Sequence, residues 1–307
     1  MTPDMSILIS SILVILTFVA VMLVAGNNLS ACVGPAVGSR IITKRFGMLL
    51  GAVGFSAGLL LQGAGMTHTV GVLLPSATDE LRVAALLVAI LIFIIADVIR
   101  VPMSLSLSLV GLLAGLSITS ETPASVAFTT EVALMWFAAP LIAMALAFYL
   151  VRFLNRSWPG DFWRRIQAYK ILLIVLSFSS AYVLGANTLG LVVATGGFDL
   201  ATVAAGVGAV FAGSFLLSGG TIRRVSQEFY LMRYTNATAT LVTSTVLVEA
   251  ATLFNIPLSN TQTTASAVFG TGVSYRTKFV SLKPFLTIVA GWVIAPLLSF
   301  AIGVLIT

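Results

Sequence analysis

The chain has 307 residues, of which 8% are charged and 59% are hydrophobic, and its mean hydropathy is +1.09. Soluble domains are about a quarter charged, so this composition excludes a soluble enzyme, a nucleic-acid-binding protein and a disordered chain. The net charge of +6 fits a membrane protein, in which basic residues gather on the cytoplasmic side. The single cysteine, Cys32, excludes a disulfide framework within one chain. The composition predicts an all-α polytopic membrane protein.

Hydrophobic stretches of spanning length, about 20 residues, recur along the chain. The eight clear ones are Ile7–Ala25, Phe46–Met66, Leu81–Ile99, Ala133–Val151, Ile171–Leu184, Thr202–Leu217, Ala237–Phe254 and Phe285–Ile306. Two further apolar stretches, Val101–Leu116 and Ile256–Gly272, are short and interrupted by Pro, Ser and Thr. The longest polar segment, residues 152–170, is too short for a soluble domain and is predicted to be a basic cytoplasmic linker.

The interrupted segments occur in matching pairs. Asn27 and Asn187, each in a Gly- and Asn-containing segment, are 160 residues apart, and Pro102 and Pro257, each followed by hydroxyl side chains, are 155 residues apart. The similar offsets predict an internal duplication, in which each half holds an early Asn/Gly break and a late Pro/Ser/Thr break. Broken helices in two related halves are typical of transporters built from inverted repeats.

The distribution of positive charge predicts the topology. If the N-terminus lies outside and each broken stretch crosses once, every Lys and Arg except Arg82 falls on the cytoplasmic side. Ten crossings follow, five per half, with both termini outside, and an odd number per half makes the repeats inverted. A re-entrant hairpin at any broken stretch would change this count. The predicted units are residues 1–151 (first repeat), 152–170 (linker) and 171–307 (second repeat).

The four breaks predict an anion-binding site. Unwound backbone within a bilayer is tolerated only inside protein or beside a wet cavity, and a half-helix N-terminus offers free N–H groups and a partial positive charge. We expect a break at Asn27-Asn28, and Pro102 and Pro257 in the first turns of two further half-helices. Four half-helix starts that converge near the middle of the membrane would present hydroxyl and amide groups to a small oxyanion. The candidates are Asn27, Asn28, Asn187, Thr188, Ser104, Ser106, Ser259, Asn260 and Thr261.

An alternative interpretation applies to each of these residues alone. Ser and Thr in membrane helices often bond back to the preceding turn, and Gly often allows close helix packing. The paired placement of the four breaks favours the anion site for the set.

Four short motifs resemble those of a known family. They are Ala25-Gly26-Asn27-Asn28-Leu29-Ser30-Ala31, Gly185-Ala186-Asn187-Thr188-Leu189-Gly190-Leu191, Pro102-Met103-Ser104-Leu105-Ser106-Leu107 and Pro257-Leu258-Ser259-Asn260-Thr261-Gln262. In order and spacing the chain resembles the inorganic phosphate transporter (PiT) family, which has two Gly-Ala-Asn-Asp-x-x-Asn motifs and two Pro-x-Ser-Thr-Thr-His-like motifs. The resemblance covers both halves and implies a transporter of an inorganic anion.

The departures from the family pattern bear on substrate and coupling. The motif Asp, which the resemblance assigns to sodium binding, is Asn28 and Thr188 here, and the His position is Leu107 and Gln262. Phosphate at neutral pH carries a proton that needs an acceptor, whereas sulfate needs donors only, and an unmatched buried donor costs about 1–3 kcal/mol. Loss of the Asp and His resembles the sulfate permease branch, so sulfate is favoured, and phosphate remains the alternative.

Glu249 lies in the interior of a predicted span and is the candidate coupling residue, carrying H+. Na+ is the other coupling ion considered, and a structural Glu bonded to nearby hydroxyls is the other role. We expect a cell-membrane protein in contact with the lipid bilayer, with no nucleic-acid partner, no cofactor and no metal. A homodimer and an anion channel are left open. An intramembrane enzyme is disfavoured, because the spans lack the acidic pairs, metal sets and dyads that such enzymes use.

Overall fold

The computed structural model describes residues 3–98, 104–118, 123–156, 162–218, 233–274 and 282–306. Within these ranges the chain forms twelve α-helices and no strand. The helices are α1 (Pro3–Gly38), α2 (Lys44–Leu61), α3 (Met66–Leu73), α4 (Asp79–Val98), α5 (Leu105–Ser117), α6 (Val126–Arg156), α7 (Phe162–Leu184), α8 (Gly190–Thr195), α9 (Leu200–Leu216), α10 (Tyr234–Leu253), α11 (Asn260–Val273) and α12 (Leu282–Ile306). A 3₁₀ turn (Gly63–Gly65) precedes α3, and one π-helical turn (Gly185–Leu189) joins α7 to α8.

The eight predicted hydrophobic stretches each coincide with a helix, so the all-α polytopic fold is confirmed. Five helical segments are long and apolar enough to cross a bilayer: Met5–Gly38, Lys44–Leu61, Val126–Arg156, Trp163–Thr195 and Val289–Ile306. Large apolar side chains are exposed on them because their solvent is hydrocarbon. Most of the predicted linker is helical, since α6 continues to Arg156 and α7 begins at Phe162.

The two interrupted stretches form short helices, as their sequence indicates. The helix α5 has 13 residues and α11 has 14, which correspond to about 20 Å each and fall short of the roughly 30 Å hydrocarbon core. Every residue of α5 is buried, and no residue of α11 is exposed. Both short helices therefore lie within protein, where their ends are shielded from lipid.

The helices pack in reciprocal pairs across the two halves. The helix α1 packs along α9 while α7 packs along α2, and α5 packs along α12 while α11 packs along α6. Each of these four pairs joins a helix of the first half of the chain to a helix of the second half. The pairs are reciprocal: an early helix of each half packs along a later helix of the other half.

Glycines allow the closest of these approaches. A Cβ on Gly58 would overlap the carbonyl oxygen of Tyr182, and one on Gly213 would overlap that of Met22. Gly58 and Gly213 are 155 residues apart, and Met22 and Tyr182 are 160 apart. The same contact thus occurs twice, at the offsets that separate the paired motifs.

Candidate functional site

The first early motif lies inside a continuous helix, so the predicted break there is wrong. Residues Pro3–Gly38 form one helix that passes through Asn27-Asn28. A Cβ on Gly26 would lie 2.5 Å from the Cβ of Leu217 in the segment that ends α9. Gly26 therefore serves close packing rather than unwinding, and no half-helix begins at this motif.

The side chains of the first motif are nevertheless placed inside the protein. Asn28 is 6% exposed, and its Oδ1 is buried without a hydrogen-bond partner among the described residues. Asn27 is partly buried. Cys32 lies one turn beyond Asn28 on the same face of α1, and its Sγ receives a hydrogen bond of 3.5 Å from Asn260 Nδ2. The first motif therefore lies beside the start of α11.

The second early motif is irregular in a different way. Residues Gly185–Leu189 form a π-helical turn, after which the helix continues as α8. Single π turns inside α-helices are frequent at functional sites. Asn187 is fully buried and Thr188 is 2% exposed. The predicted irregularity is present here, but it is a π turn and not the start of a half-helix.

Asn187 ties this turn to the segment before α11. Its Nδ2 donates to Thr252 Oγ1 (3.0 Å) and to the Ile256 carbonyl oxygen (2.9 Å), and its Oδ1 accepts from the Leu258 N–H (3.0 Å). Both amide hydrogens of Asn187 are thus already used inside the protein. Asn187 holds the segment that leads into α11 and has no free donor for a ligand.

The two late motifs do begin helices, as predicted. Ser104 and Ser259 are the N-cap residues of α5 and α11, and both have extended backbone and are almost fully buried. Pro257 precedes the Ser259 cap by two residues, so the prediction that it lies in the first turn is wrong. Proline suits a position just before a helix because it has no backbone N–H to donate. Pro102 lies outside the described residues.

The two helix starts have the same side-chain arrangement. Ser104 Oγ and Ser106 Oγ are 2.9 Å apart, and Ser259 Oγ and Thr261 Oγ1 are also 2.9 Å apart. The Gln262 N–H donates to Ser259 Oγ at 3.4 Å, so Ser259 also caps its helix. Each start offers a pair of hydroxyls beside the free N–H groups of a helix N-terminus. These groups can donate to an oxyanion.

The predicted convergence of four half-helix starts is wrong, because two of the four do not exist. Asn28, Asn187 and Asn260 are brought together around the start of α11 through Cys32 and the Ile256–Leu258 segment. In the described part of the chain, no hydrogen bond joins Ser104 or Ser106 to these residues. These three asparagines thus lie around α11, and α5 has a separate, matching helix start.

Glu249 on α10 lies close to the second motif. Its Oε1 accepts a hydrogen bond of 3.1 Å from Gln62 Nε2, while its Oε2 is buried and unpaired among the described residues. One turn further along α10, Thr252 Oγ1 accepts from Asn187. The partner of Glu249 is thus an amide of α2 and not the neighbouring hydroxyls that the sequence indicated as the alternative.

Sequence reasoning missed Gln62, Thr252 and Trp136. Gln62 ends α2 and holds Glu249, Thr252 receives Asn187, and Trp136 Nε1 donates to the Pro257 carbonyl oxygen at 3.0 Å. None of these three residues belongs to one of the four motifs. Gln62 could have been found, because a Gln inside an apolar stretch indicates a buried polar contact. Among the described residues, no group of three or more His, Cys, Asp or Glu side chains is arranged to hold a metal ion.

The model of the phosphate transporter family matches this chain twice, at residues 24–195 and at residues 176–307. The chain therefore belongs to the phosphate transporter family, as its motifs predicted. It is a multi-pass membrane transport protein and not an enzyme.

Individual relatives agree with this membership. The chain is 25% identical over 297 residues to the Methanocaldococcus jannaschii protein MJ0630, which bears the name of a phosphate permease, with 95% of each chain covered. It is 26% identical over 306 residues to the sulfate permease CysP of Bacillus subtilis, covering 93% of this chain and 83% of CysP. A solved structure titled "The sodium-dependent phosphate transporter" has the same fold, with a TM-score of 0.82, 16% identity and 97% and 98% of the two chains covered.

Proposed function

We propose that this protein is a symporter that imports a small tetrahedral inorganic oxyanion across the cell membrane, with sulfate as its preferred substrate. The observation that supports this most strongly is the pair of matching buried helix starts, each with two hydroxyls 2.9 Å apart. Neither start carries a carboxylate. Such a set donates hydrogen bonds to an anion without repelling it.

The absence of a carboxylate in the motifs favours sulfate. A phosphate that keeps its proton needs an acceptor in the site, and the position of the family Asp is held by Asn28 and Thr188. Similarity to a protein named sulfate permease CysP agrees with this choice. Phosphate is the second candidate because Asn28 Oδ1 is buried and unpaired among the described residues. As assigned, that oxygen is an acceptor for a phosphate proton.

The candidate site residues fall into two groups. We propose that Asn27, Asn28, Asn260 and the hydroxyl residues bind the anion; the hydroxyl residues are Ser104, Ser106, Thr188, Ser259 and Thr261. Asn187 takes a different part in this proposal, because its hydrogen bonds to Thr252, Ile256 and Leu258 are made within the protein. It positions the start of α11.

We propose H+ as the coupling ion and Glu249 as its carrier. With Oε1 held by Gln62 and Oε2 buried without a partner in the described structure, a proton can enter and leave at Oε2 while the Gln62 bond stays in place. Thr252, one turn from Glu249 on α10, accepts a hydrogen bond from Asn187. Because Asn187 positions the start of α11, a change in the protonation of Glu249 can affect that start through Thr252 and Asn187. Na+ is the second candidate, on the likeness to a structure titled as sodium-dependent.

We also propose that residues 1–151 and 171–307 are inverted repeats joined by residues 152–170, with ten crossings and both termini outside. Reciprocal helix packing supports this, as do the paired contacts of Gly58 with Tyr182 and Gly213 with Met22. A pseudo-two-fold axis would place two such contacts in equivalent positions.

Uptake of labelled sulfate into proteoliposomes tests substrate and coupling together. We expect accumulation driven by an inward proton gradient, competed by molybdate and thiosulfate more strongly than by phosphate. Stronger competition by phosphate would make it the substrate, and accumulation driven only by a sodium gradient would replace H+ by Na+. Flux that only follows the sulfate gradient would indicate a channel and reject symport.

A further inference from the structure

A large cavity lies between the late-motif helices and the long helices that follow them. It has a volume of about 570 Å³ and is bounded by α5 and α11 on one side and by α6 and α12 on the other. Its walls are mainly aliphatic and aromatic, and none of the described residues that line it is charged. None of the residues that we propose to bind the anion lines this cavity, although Gln262, which follows Thr261, does.

The mouth of this cavity faces hydrocarbon. Phe137 and Leu141 on α6 and Leu297 on α12 line it and are 63%, 64% and 63% exposed. Both helices contain segments long and apolar enough to cross a bilayer, Val126–Arg156 and Val289–Ile306. The medium that borders the opening is therefore the acyl-chain region of the membrane.

Neither water nor empty space is a stable content for such a cavity. Water needs two to four polar partners, and apolar cavities of about 150 Å³ in proteins stay dry yet take up hydrocarbon ligands. An empty cavity several times larger would leave its lining without contacts on one side. Its size and apolar walls are typical of a ligand pocket, and lipid chains are the apolar ligand present at its mouth.

Both halves of the protein build this cavity from the same sequence. Trp136-x-x-Ala139-Pro140-Leu141 on α6 matches Trp292-x-x-Ala295-Pro296-Leu297 on α12, 156 residues later, and the Trp, Pro and Leu of both copies line it. A proline within a helix removes a hydrogen bond and bends the helix. Pro140 and Pro296 lie inside α6 and α12, so both copies place a proline and its missing helical hydrogen bond at the cavity wall.

One wall of the cavity is connected to the start of α11. Trp136 lines the cavity, and its Nε1 donates to the Pro257 carbonyl oxygen at 3.0 Å. Pro257 lies two residues before the cap residue Ser259. A group that packs against the Trp136 ring therefore also stabilises the hydrogen bond from Trp136 to Pro257, just before α11.

We propose that one acyl chain of a membrane phospholipid occupies this cavity as a bound, structural lipid and holds Trp136 against Pro257. The occupant is retained by van der Waals contact and by exclusion from water, since the described lining has few polar groups. This inference rests on the membrane fold and does not depend on the substrate or the coupling ion.

Native mass spectrometry of the protein extracted in mild detergent tests the proposal directly. We expect one phospholipid per chain to remain bound after extensive washing. Ala114→Phe and Ala133→Phe place a ring into the cavity from α5 and from α6, and each is expected to release the lipid. Ala145→Phe is the matched control, because Ala145 is exposed on α6 and does not line the cavity; it should keep the lipid.

The proposal fails if the wild-type protein carries no lipid, or if both filled variants retain it as the control does. Size-exclusion elution of each variant shows whether it is folded, and the wild-type result decides the matter even if both filled variants aggregate.

A second copy of this chain is the competing occupant. Leu141→Cys places a thiol at the cavity mouth, and the native Cys32 is buried. Under mild oxidation in native membranes we expect no disulfide-linked dimer of the variant. Efficient formation of disulfide-linked dimers, with no lipid bound to the wild type, would indicate that a second copy of the chain covers the cavity mouth. The lipid proposal would then be rejected.

Discussion

The two halves of this transporter have equivalent packing but different early motifs. Gly58 and Gly213 make the same backbone contact in the two halves, whereas Asn27-Asn28 lies in a regular helix and Asn187 lies in a π turn. Asn187 uses both of its amide hydrogens within the protein. The two halves thus share a backbone contact while their early motifs differ, and in our proposal one motif is structural and the other binds the anion.

The largest effect is expected from filling the paired glycine contacts. Gly58→Leu and Gly213→Leu each force a side chain into a neighbouring backbone carbonyl, at Tyr182 and Met22, and backbone cannot move as a side-chain tip can. We expect both variants to be lost from the membrane fraction to a similar extent, as measured by immunoblotting. Gly71→Leu is the control, since nothing lies within 4 Å of its added Cβ. A large loss in one variant only would argue against equivalent halves.

Asn187→Ala is expected to destabilise the protein, because the Leu258 N–H and the Ile256 carbonyl lose their partner in a buried place. Each unpaired buried group costs about 1–3 kcal/mol. Thermal unfolding in detergent should show a clear drop in melting temperature. Asn27→Ala is the counterpart in the other half and should keep the melting temperature while uptake falls. The reverse pattern would exchange the roles of the two motifs.

Glu249→Gln separates driven uptake from exchange. Gln keeps an acceptor for Gln62 but carries no titratable proton, so gradient-driven uptake should be abolished while sulfate exchange across proteoliposomes continues. At the offset of 155 residues the first half has Ile94, so only one half is expected to couple. Ile94→Ala is the control and should keep driven uptake. Unchanged driven uptake in Glu249→Gln would reject Glu249 as the carrier.

Replacing the two N-cap serines is expected to have modestly different effects on stability. Ser259 Oγ accepts from the Gln262 N–H, whereas the Ser104 side chain makes no cap hydrogen bond. Loss of a helix cap costs about 1 kcal/mol, so Ser259→Ala should lower both stability and uptake, and Ser104→Ala should lower uptake alone. Urea or thermal unfolding with parallel uptake assays measures this. If Ser104→Ala and Ser259→Ala both leave transport unchanged, the proposal of an anion site at these helix starts is rejected.

The smallest effect is expected at the N-caps of α2 and α9, which lie 156 residues apart. Thr43 caps α2, and Asp199 caps α9. The hydrogen bond from the Thr202 N–H lowers the pKa of the Asp199 carboxyl. A lowered folded-state pKa gives stability above the ordinary carboxyl pKa that is lost as the pH falls through the lowered value. Asp199→Ala should cost about 1 kcal/mol near neutral pH and flatten this acid dependence. Asp199→Asn, which keeps a cap without charge, should flatten it at little cost, as thermal unfolding against pH would show.

The sequence by itself determined the membrane fold, the family and the positions of the two late helices. These follow from local causes: apolar runs of spanning length, and Pro257 with its following hydroxyls, which indicate a helix start although the helix begins at Asn260 and not at the proline. The sequence also located Glu249, because a carboxylate in an apolar run is conspicuous.

Only the tertiary structure decided what the early motifs do. Gly26 and Gly185 look alike in sequence, and a glycine that breaks a helix cannot be told locally from one that admits a neighbouring backbone. The continuous α1 and the π turn depend on contacts with α9 and with the Ile256–Leu258 segment, which are distant along the chain. Long-range contacts also place Gln62 beside Glu249 and Trp136 beside Pro257, because the folded chain brings together side chains that no local pattern relates.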